Sequence, residues 1–100
     1  YCIYIKQQFK YNRYMDIKIK WNEDKNELLK RTRNVSFEMV QIEIDEGRYT
    51  EPEINKIHPH QYITIVIIND YPHVVPFVKE EDNTWFLKTI YPSRKYKGKI

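Results

Sequence analysis

Residues 62–68 read Tyr-Ile-Thr-Ile-Val-Ile-Ile, a nearly continuous β-branched run with no charge in it. β-branched side chains suit the pleated surface, and a run without polar alternation belongs in a strand with neighbours on both sides. Asn69-Asp70 with Tyr71-Pro72 predicts a turn, because Asn and Asp tolerate positive φ. A second strand is predicted over His73–Val78. Pro76 interrupts it, since proline has no N–H for a ladder, and this implies an edge strand or a bulge. Glu80 to Asn83 turn the chain again, and Thr84–Ile90 predicts a third strand. Three strands joined by short turns predict an antiparallel meander.

The segment before this run switches period. Ile17-Lys18-Ile19-Lys20-Trp21 alternates apolar and charged residues, as a half-covered strand does. Asn22 is then an N-cap, with Glu23 and Asp24 in the first turn where the helix dipole favours anions. A helix runs through Leu28, Leu29 and Thr32 with Lys25 on the same face. Lys30, Arg31 and Arg33 close it, and Asn34 fits a left-handed terminus. Ser36 caps a second helix from Phe37 to about Glu46, with Phe37, Val40 and Ile44 on one face and Gly47 as its stop. Residues 48–61 hold Pro52 and Pro59 without a clear period and read as a connector. The expectation is an α+β domain: a strand, two helices, then the three-stranded antiparallel meander, with both helices packed on one sheet face.

One hundred residues fit one domain. Residues 1–14 differ from the rest, holding Lys6, Lys10 and Arg13 and no acid, whereas residues 15–100 carry equal numbers of bases and acids. Met15 opens the segment that patterns cleanly, so 1–14 is read as an N-terminal extension lying upstream of a natural start at Met15. The alternative is a terminal strand or basic arm. The single cysteine, Cys2, permits no intrachain disulfide and suits a reducing, cytoplasmic setting. No apolar run reaches the eighteen or so residues of a membrane helix, so no membrane partner is expected.

The chemistry concentrates at the C-terminal end. From Lys88 onward there are five bases (Lys88, Arg94, Lys95, Lys97, Lys99) and no acid. In the third strand Phe86, Lys88 and Ile90 share one face, and Trp85, Leu87, Thr89 and Tyr91 the other. If the helices cover the first set, Lys88 lies at the sheet margin or is buried at a cost. If they cover the second, Lys88 is on the open face and joins Arg94 and Lys95 across the Pro92-Ser93 turn. A solvated lysine with a basic tail is the plain reading of such a charge run. The sharper one is a phosphate cradle for RNA. Cleavage that uses the ribose 2′-hydroxyl as nucleophile needs a proton acceptor, cations around the phosphate and a donor for the leaving oxygen. Arginine forks onto phosphate oxygens, lysine acts as a point charge, and Ser93 and the tyrosines donate hydrogen bonds. Tyr91 and Tyr96 are candidates to stack on unpaired bases. This chemistry calls for no cofactor and no metal.

His58 and His60, two apart on an extended segment, would point away from each other and make no metal site by themselves. His73, beside the meander, is the better acid–base candidate. With glycine only at positions 47 and 98, no glycine-rich phosphate loop exists.

Two stretches resemble the BrnT family of bacterial toxins. Trp21-Asn22-Glu23-Asp24-Lys25-Asn26 followed by Val35-Ser36-Phe37-Glu38 is similar to that family's opening pattern, a tryptophan ahead of the first helix, a lysine on it and a Phe-Glu start to the second. Pro92-Ser93-Arg94-Lys95 after a strand is similar to its closing Ser-Ala-Arg-Lys. Together they bracket residues 17–95 in the right order. The resemblance implies a RelE-like fold and an endoribonuclease that blocks translation by cutting RNA. It also implies a cognate antitoxin, BrnA-like and encoded nearby, that neutralises the toxin in an assembly such as a heterotetramer. Arg94 and Lys95 fall on the family's closing basic pair and Lys25 on its helix-one lysine. Where the family has His-Gly before the second helix, this chain has Arg33-Asn34, and arginine is no general base near neutral pH. The acid–base role therefore passes to Lys88, Tyr91 or His73, with Ser93, Tyr96, Lys97 and Lys25 as further RNA contacts.

Overall fold

The computed structural model describes residues 17–97. The N-terminal extension, Met15 and Lys99 lie outside the described residues. Strand β1 (Lys18–Trp21) leads into helices α1 (Glu23–Arg33) and α2 (Phe37–Asp45), followed by strands β2 (Glu53–Ile54), β3 (Tyr62–Ile68), β4 (Tyr71–Glu80), β5 (Thr84–Leu87) and β6 (Tyr91–Pro92). A short 3-10 turn, Arg94–Tyr96, comes last. The architecture is α+β, two helices against a mixed six-stranded sheet.

Local chemistry explains the helix boundaries. The Asn22 side chain accepts the Lys25 backbone N–H at 3.0 Å, and Asn34 ends α1 with φ 57° and ψ 34°. Ser36 Oγ accepts the Met39 N–H at 3.3 Å. At the other end of α2, Gly47 takes φ 79°, its N–H donates to the Ile44 carbonyl, and the Arg48 N–H donates to the Glu43 carbonyl. These two bonds form a Schellman motif, which satisfies carbonyls the helix would otherwise leave orphaned. α1 buries Asn26 and Leu29, whereas Leu28, expected on the inner face, is 39% exposed.

The sheet order is β1-β5-β4-β3-β2, with β6 also paired to β4. β3 and β4 are antiparallel, joined by Asn69 and Asp70 at φ 54° and 63°. Positive φ at both central residues is the type I′ geometry that matches strand twist in a two-residue hairpin. β4 and β5 are antiparallel through a turn in which Asp82 and Asn83 have φ 60° and 58°. β1 runs parallel to β5, with Lys18 opposite Thr84 and Trp21 opposite Leu87, which makes the sheet mixed.

Three expectations are corrected. The connector 48–61 contains β2, which pairs Glu53 with Ile63 and Ile54 with Tyr62. Two residues are too short to show a period, and the pairing is a backbone property. Pro76 does not mark an edge: β4 has β3 on one side and β5 and β6 on the other. The bulge it also implied is present. Phe77 pairs with Leu87 and Val74 with Tyr91, so Val75 and Pro76 face three residues, Lys88, Thr89 and Ile90. The Lys88 N–H donates to the Pro76 carbonyl at 2.8 Å, which puts the missing Pro76 N–H on the side where the ladder is already broken. The expected strand Thr84–Ile90 is accordingly interrupted after Leu87.

The core lies between the helices and one sheet face. Leu29, Phe37, Val40 and Ile44 meet Val66, Ile68, Val75, Phe77, Trp85, Leu87 and Ile90. Phe77 and Trp85 stack at 4.1 Å between centroids, and Tyr49 meets Trp85 edge-on. The bulge decides what Ile90 does. Trp85 and Leu87 point into the core as one parity, and the extra residue brings Ile90, of the other parity, to the same side at 0% exposure.

Candidate nucleic-acid interface

The face opposite the helices is defined by register. Cross-strand partners share a face. Phe86 pairs with Val78 and Lys20, and Tyr91 pairs with Val74. Val74 and Val78 have the same parity on β4, opposite to Val75 and Phe77 in the core. Lys20, Phe86 and Tyr91 therefore stand on the outer face. Lys88 joins them, since its Nζ lies 5.1 Å from the Phe86 ring centroid. Lys20 and Lys88 are exposed and Tyr91 is 38% exposed. Of the two alternatives for Lys88, the one in which the helices cover Trp85 and Leu87 holds. Tyr91, assigned by simple alternation to the helix side, is on the side away from the helices with Lys88, because the bulge inverts the parity between them.

Beyond β6 the backbone is tied back to the sheet: the Ser93 N–H donates to the Pro72 carbonyl at 3.0 Å. The Lys97 N–H then donates to the Arg94 carbonyl at 3.0 Å, closing the 3-10 turn. Arg94, Lys95 and Lys97 are exposed, and Ser93 and Tyr96 are half-buried. Lys95 Nζ is 5.5 Å from the Tyr96 ring and Lys97 Nζ is 5.9 Å from the Tyr71 ring. None of Lys88, Arg94, Lys95 and Lys97 forms an ion pair among the described residues. Free cations on an ordered turn are what an anionic ligand requires.

His73 does not join this group. It pairs with Val66 and Pro92, with the parity of Val75 and Phe77, so it lies on the helix-covered face while Tyr91 lies on the other. It is 7% exposed, and its Nδ1 sits 2.8 Å from the Tyr71 carbonyl oxygen. With the proton on Nδ1, that contact is a hydrogen bond that fixes the ring. Lys25 is also apart. It sits in the first turn of α1, about 12 Å along the helix axis from Arg33, and Arg33 is the α1 residue that reaches the bulge. Arg33 Nη1 donates to the Ile90 carbonyl at 2.6 Å. Read as the residue standing in for a histidine, Arg33 has instead a structural contact that clamps the end of α1 to the β5–β6 junction. Sequence alone offers no signal for it, because it depends on where the bulge directs the Ile90 carbonyl. The sequence does not bring Lys20 and Phe86 together either. The alternation of β1 marks Lys20 as outward, but only the parallel register puts it beside Phe86.

His58 and His60 are corrected as well. Their rings approach to 6.1 Å, edge to face, because residues 55–61 form a closed loop and not an extended segment. The Asn55 side chain accepts the backbone N–H groups of Ile57 and His58, and the Asn55 N–H donates to the Gln61 carbonyl at 2.9 Å. Among the described residues no group of three His, Cys, Asp or Glu side chains could hold a metal ion. No helix among them is long and apolar enough to cross a membrane.

The arrangement thus offers cations, hydroxyl donors and the exposed Tyr91 ring on the face away from the helices and the turn beyond it, with His73 on the opposite face. In comparisons with known proteins, no protein-family model, curated protein or solved structure matches this chain.

Proposed function

We propose that this chain is the toxin of a bacterial toxin–antitoxin pair, with a RelE- or BrnT-like arrangement, and that it cleaves RNA to inhibit translation. The observation that carries the reading is the bulge opposite Pro76, which sets Lys88 and Tyr91 on one face and leads directly into the cationic turn of Ser93, Arg94 and Lys95. In the reaction, the ribose 2′-oxygen bonds to the adjacent phosphorus and the bond from phosphorus to the 5′-oxygen breaks, leaving a 2′,3′-cyclic phosphate. The 2′-hydroxyl proton passes to an acceptor, and the 5′-oxygen takes up a proton as it leaves. Arg94 and Lys95 neutralise the crowded phosphate, and Lys88 or Tyr91 supplies the leaving-group proton. The partner is a cognate antitoxin encoded nearby, and the setting is the cytoplasm.

The test is induced expression in a bacterial host, with RNA ends mapped afterwards. The intact chain arrests growth and produces new RNA ends, and Arg94→Ala with Lys95→Ala abolishes both while the protein stays folded. Full toxicity in a folded double variant would sink this site.

A second reading has its own support. His73 is almost fully buried on the face away from Tyr91, so an acid–base partner is missing where the cations are. On this reading the fold binds RNA or the antitoxin without cutting. Pure protein that leaves RNA intact yet binds it with strong salt dependence decides for it.

A further inference from the structure

The cations of the proposed site continue across the sheet to β1. Lys20 is the register partner of Phe86, and Lys88 Nζ lies over the half-buried Phe86 ring, 5.1 Å from its centroid. Two exposed lysines thus neighbour this ring on the face away from the helices, and Tyr91, 38% exposed, stands on the same face toward β6. Neither Lys20 nor Lys88 has an ion-pair partner among the described residues. Lys18, the remaining lysine of β1, pairs with Thr84, which in turn pairs with Glu80, so an acid stands two strands away on the same face.

Resting on the proposed function, we infer that Lys20, Phe86 and Lys88 form a platform for single-stranded RNA, in which a base takes the place that the Lys88 ammonium holds over Phe86 and the flanking phosphates meet the two lysines. The chemistry favours single strands for two reasons. A ring on a sheet face meets a base only if that base is unpaired, because duplex RNA presents backbone and shallow-groove edges to a protein. A platform flanked by point charges also gives affinity without base-edge readout, as in proteins that hold single strands. The platform runs toward Tyr91 and the turn at Ser93, so a strand lying on it would deliver its next phosphates to Arg94 and Lys95.

The test is fluorescence anisotropy with a labelled single-stranded RNA and the matching duplex, over a range of salt. The intact protein binds the single strand at least ten-fold more tightly. Lys20→Ala with Lys88→Ala weakens binding and lowers the salt slope by about 1.4, the value for two phosphate contacts on a single strand. Phe86→Leu, which keeps an apolar neighbour for Val78, weakens it about ten-fold with the slope unchanged. Folding of each variant is checked by circular dichroism. If the duplex binds equally well, or if only Arg94→Ala with Lys95→Ala weakens binding, the platform is wrong and the reading of the turn survives. If the intact protein binds neither RNA, both fail together.

Discussion

Asn26 Oδ1 accepts the backbone N–H of Phe37 at 2.8 Å, so a fully buried side chain of the first helix holds the first turn of the second. The amide end is satisfied too: Nδ2 donates to Glu23 at 3.1 Å and to Glu38 at 2.9 Å. A buried polar group with all its partners specifies one arrangement, and the same group half-satisfied is costly. Asn26→Ala strands the Phe37 N–H and is expected to destabilise the fold by about 2 kcal/mol. Asn26→Asp is expected to do no better, because its second oxygen faces two carboxylates. Urea unfolding followed by circular dichroism measures both, and an unchanged midpoint in either would refute the role given to this network.

Glu38 gives that network a pH dependence. The Asn26 amide, with smaller help from its own backbone N–H, Lys30 and Ser36, holds its carboxyl below the ordinary value of 4.5, against the opposing effect of burial. A lowered carboxyl stabilises the folded state above the unfolded-state value and loses that contribution as pH falls through the folded value. Stability is therefore expected to drop below about pH 4.5, by a modest amount because the side chain is half-exposed. Glu38→Gln should flatten this part of the curve. Parallel curves for the two proteins between pH 3 and pH 6 would contradict the assignment.

The bulge makes an unusual deletion tolerable. Thr89 is the residue whose removal leaves Leu87, Lys88, Ile90 and Tyr91 in simple alternation, with each on the face it already occupies. Deleting it is expected to leave a folded domain with an altered twist before the turn and weaker RNA binding. Ile90→Ala, at a position with 0% exposure, is expected to cost about 3 kcal/mol. Thermal melts rank the two, and a deletion more damaging than the truncation would show that the extra residue is structurally required.

Gly47 separates backbone strain from crowding. A methyl group there would meet nothing within 4 Å, yet φ is 79°. Gly47→Ala is thus expected to cost about 1 kcal/mol from conformation alone, and Gly47→Asn less. Equal melting temperatures for all three proteins would mean that the left-handed conformation carries no penalty at this helix end.

The caps, the inner face of α2 and strands β3 and β4 were legible because each rests on residues adjacent in sequence. Asn22, Asn34, Ser36 and Gly47 act through bonds reaching at most a few positions. What escaped the sequence depends on register between distant segments. Pro76 announced an irregularity but not which neighbour would absorb it, and the face of Tyr91 could not be assigned until the extra residue at 88–90 was known. The site residues divide in the same way: Ser93, Arg94 and Lys95 are contiguous and were found together. Residue type alone groups His73 and Lys25 with them, whereas the sheet parity and the length of α1 separate them.

The parallel pairing of β1 with β5 also constrains how the domain forms. Lys18 finds its partner only when Thr84 has been synthesised, so the first strand must wait until the helices, β3 and β4 have all been made. Pairings so far apart in sequence carry a loop-closure cost before any contact repays it, and they slow folding. During synthesis the hairpin of β3 and β4 is complete before β5 exists, and until then its core face, Val66, Ile68, Val75 and Phe77, lacks the Trp85 and Leu87 that complete it. A nascent chain of this kind exposes sticky surface late, and truncation before residue 84 would leave a ribbon prone to aggregate.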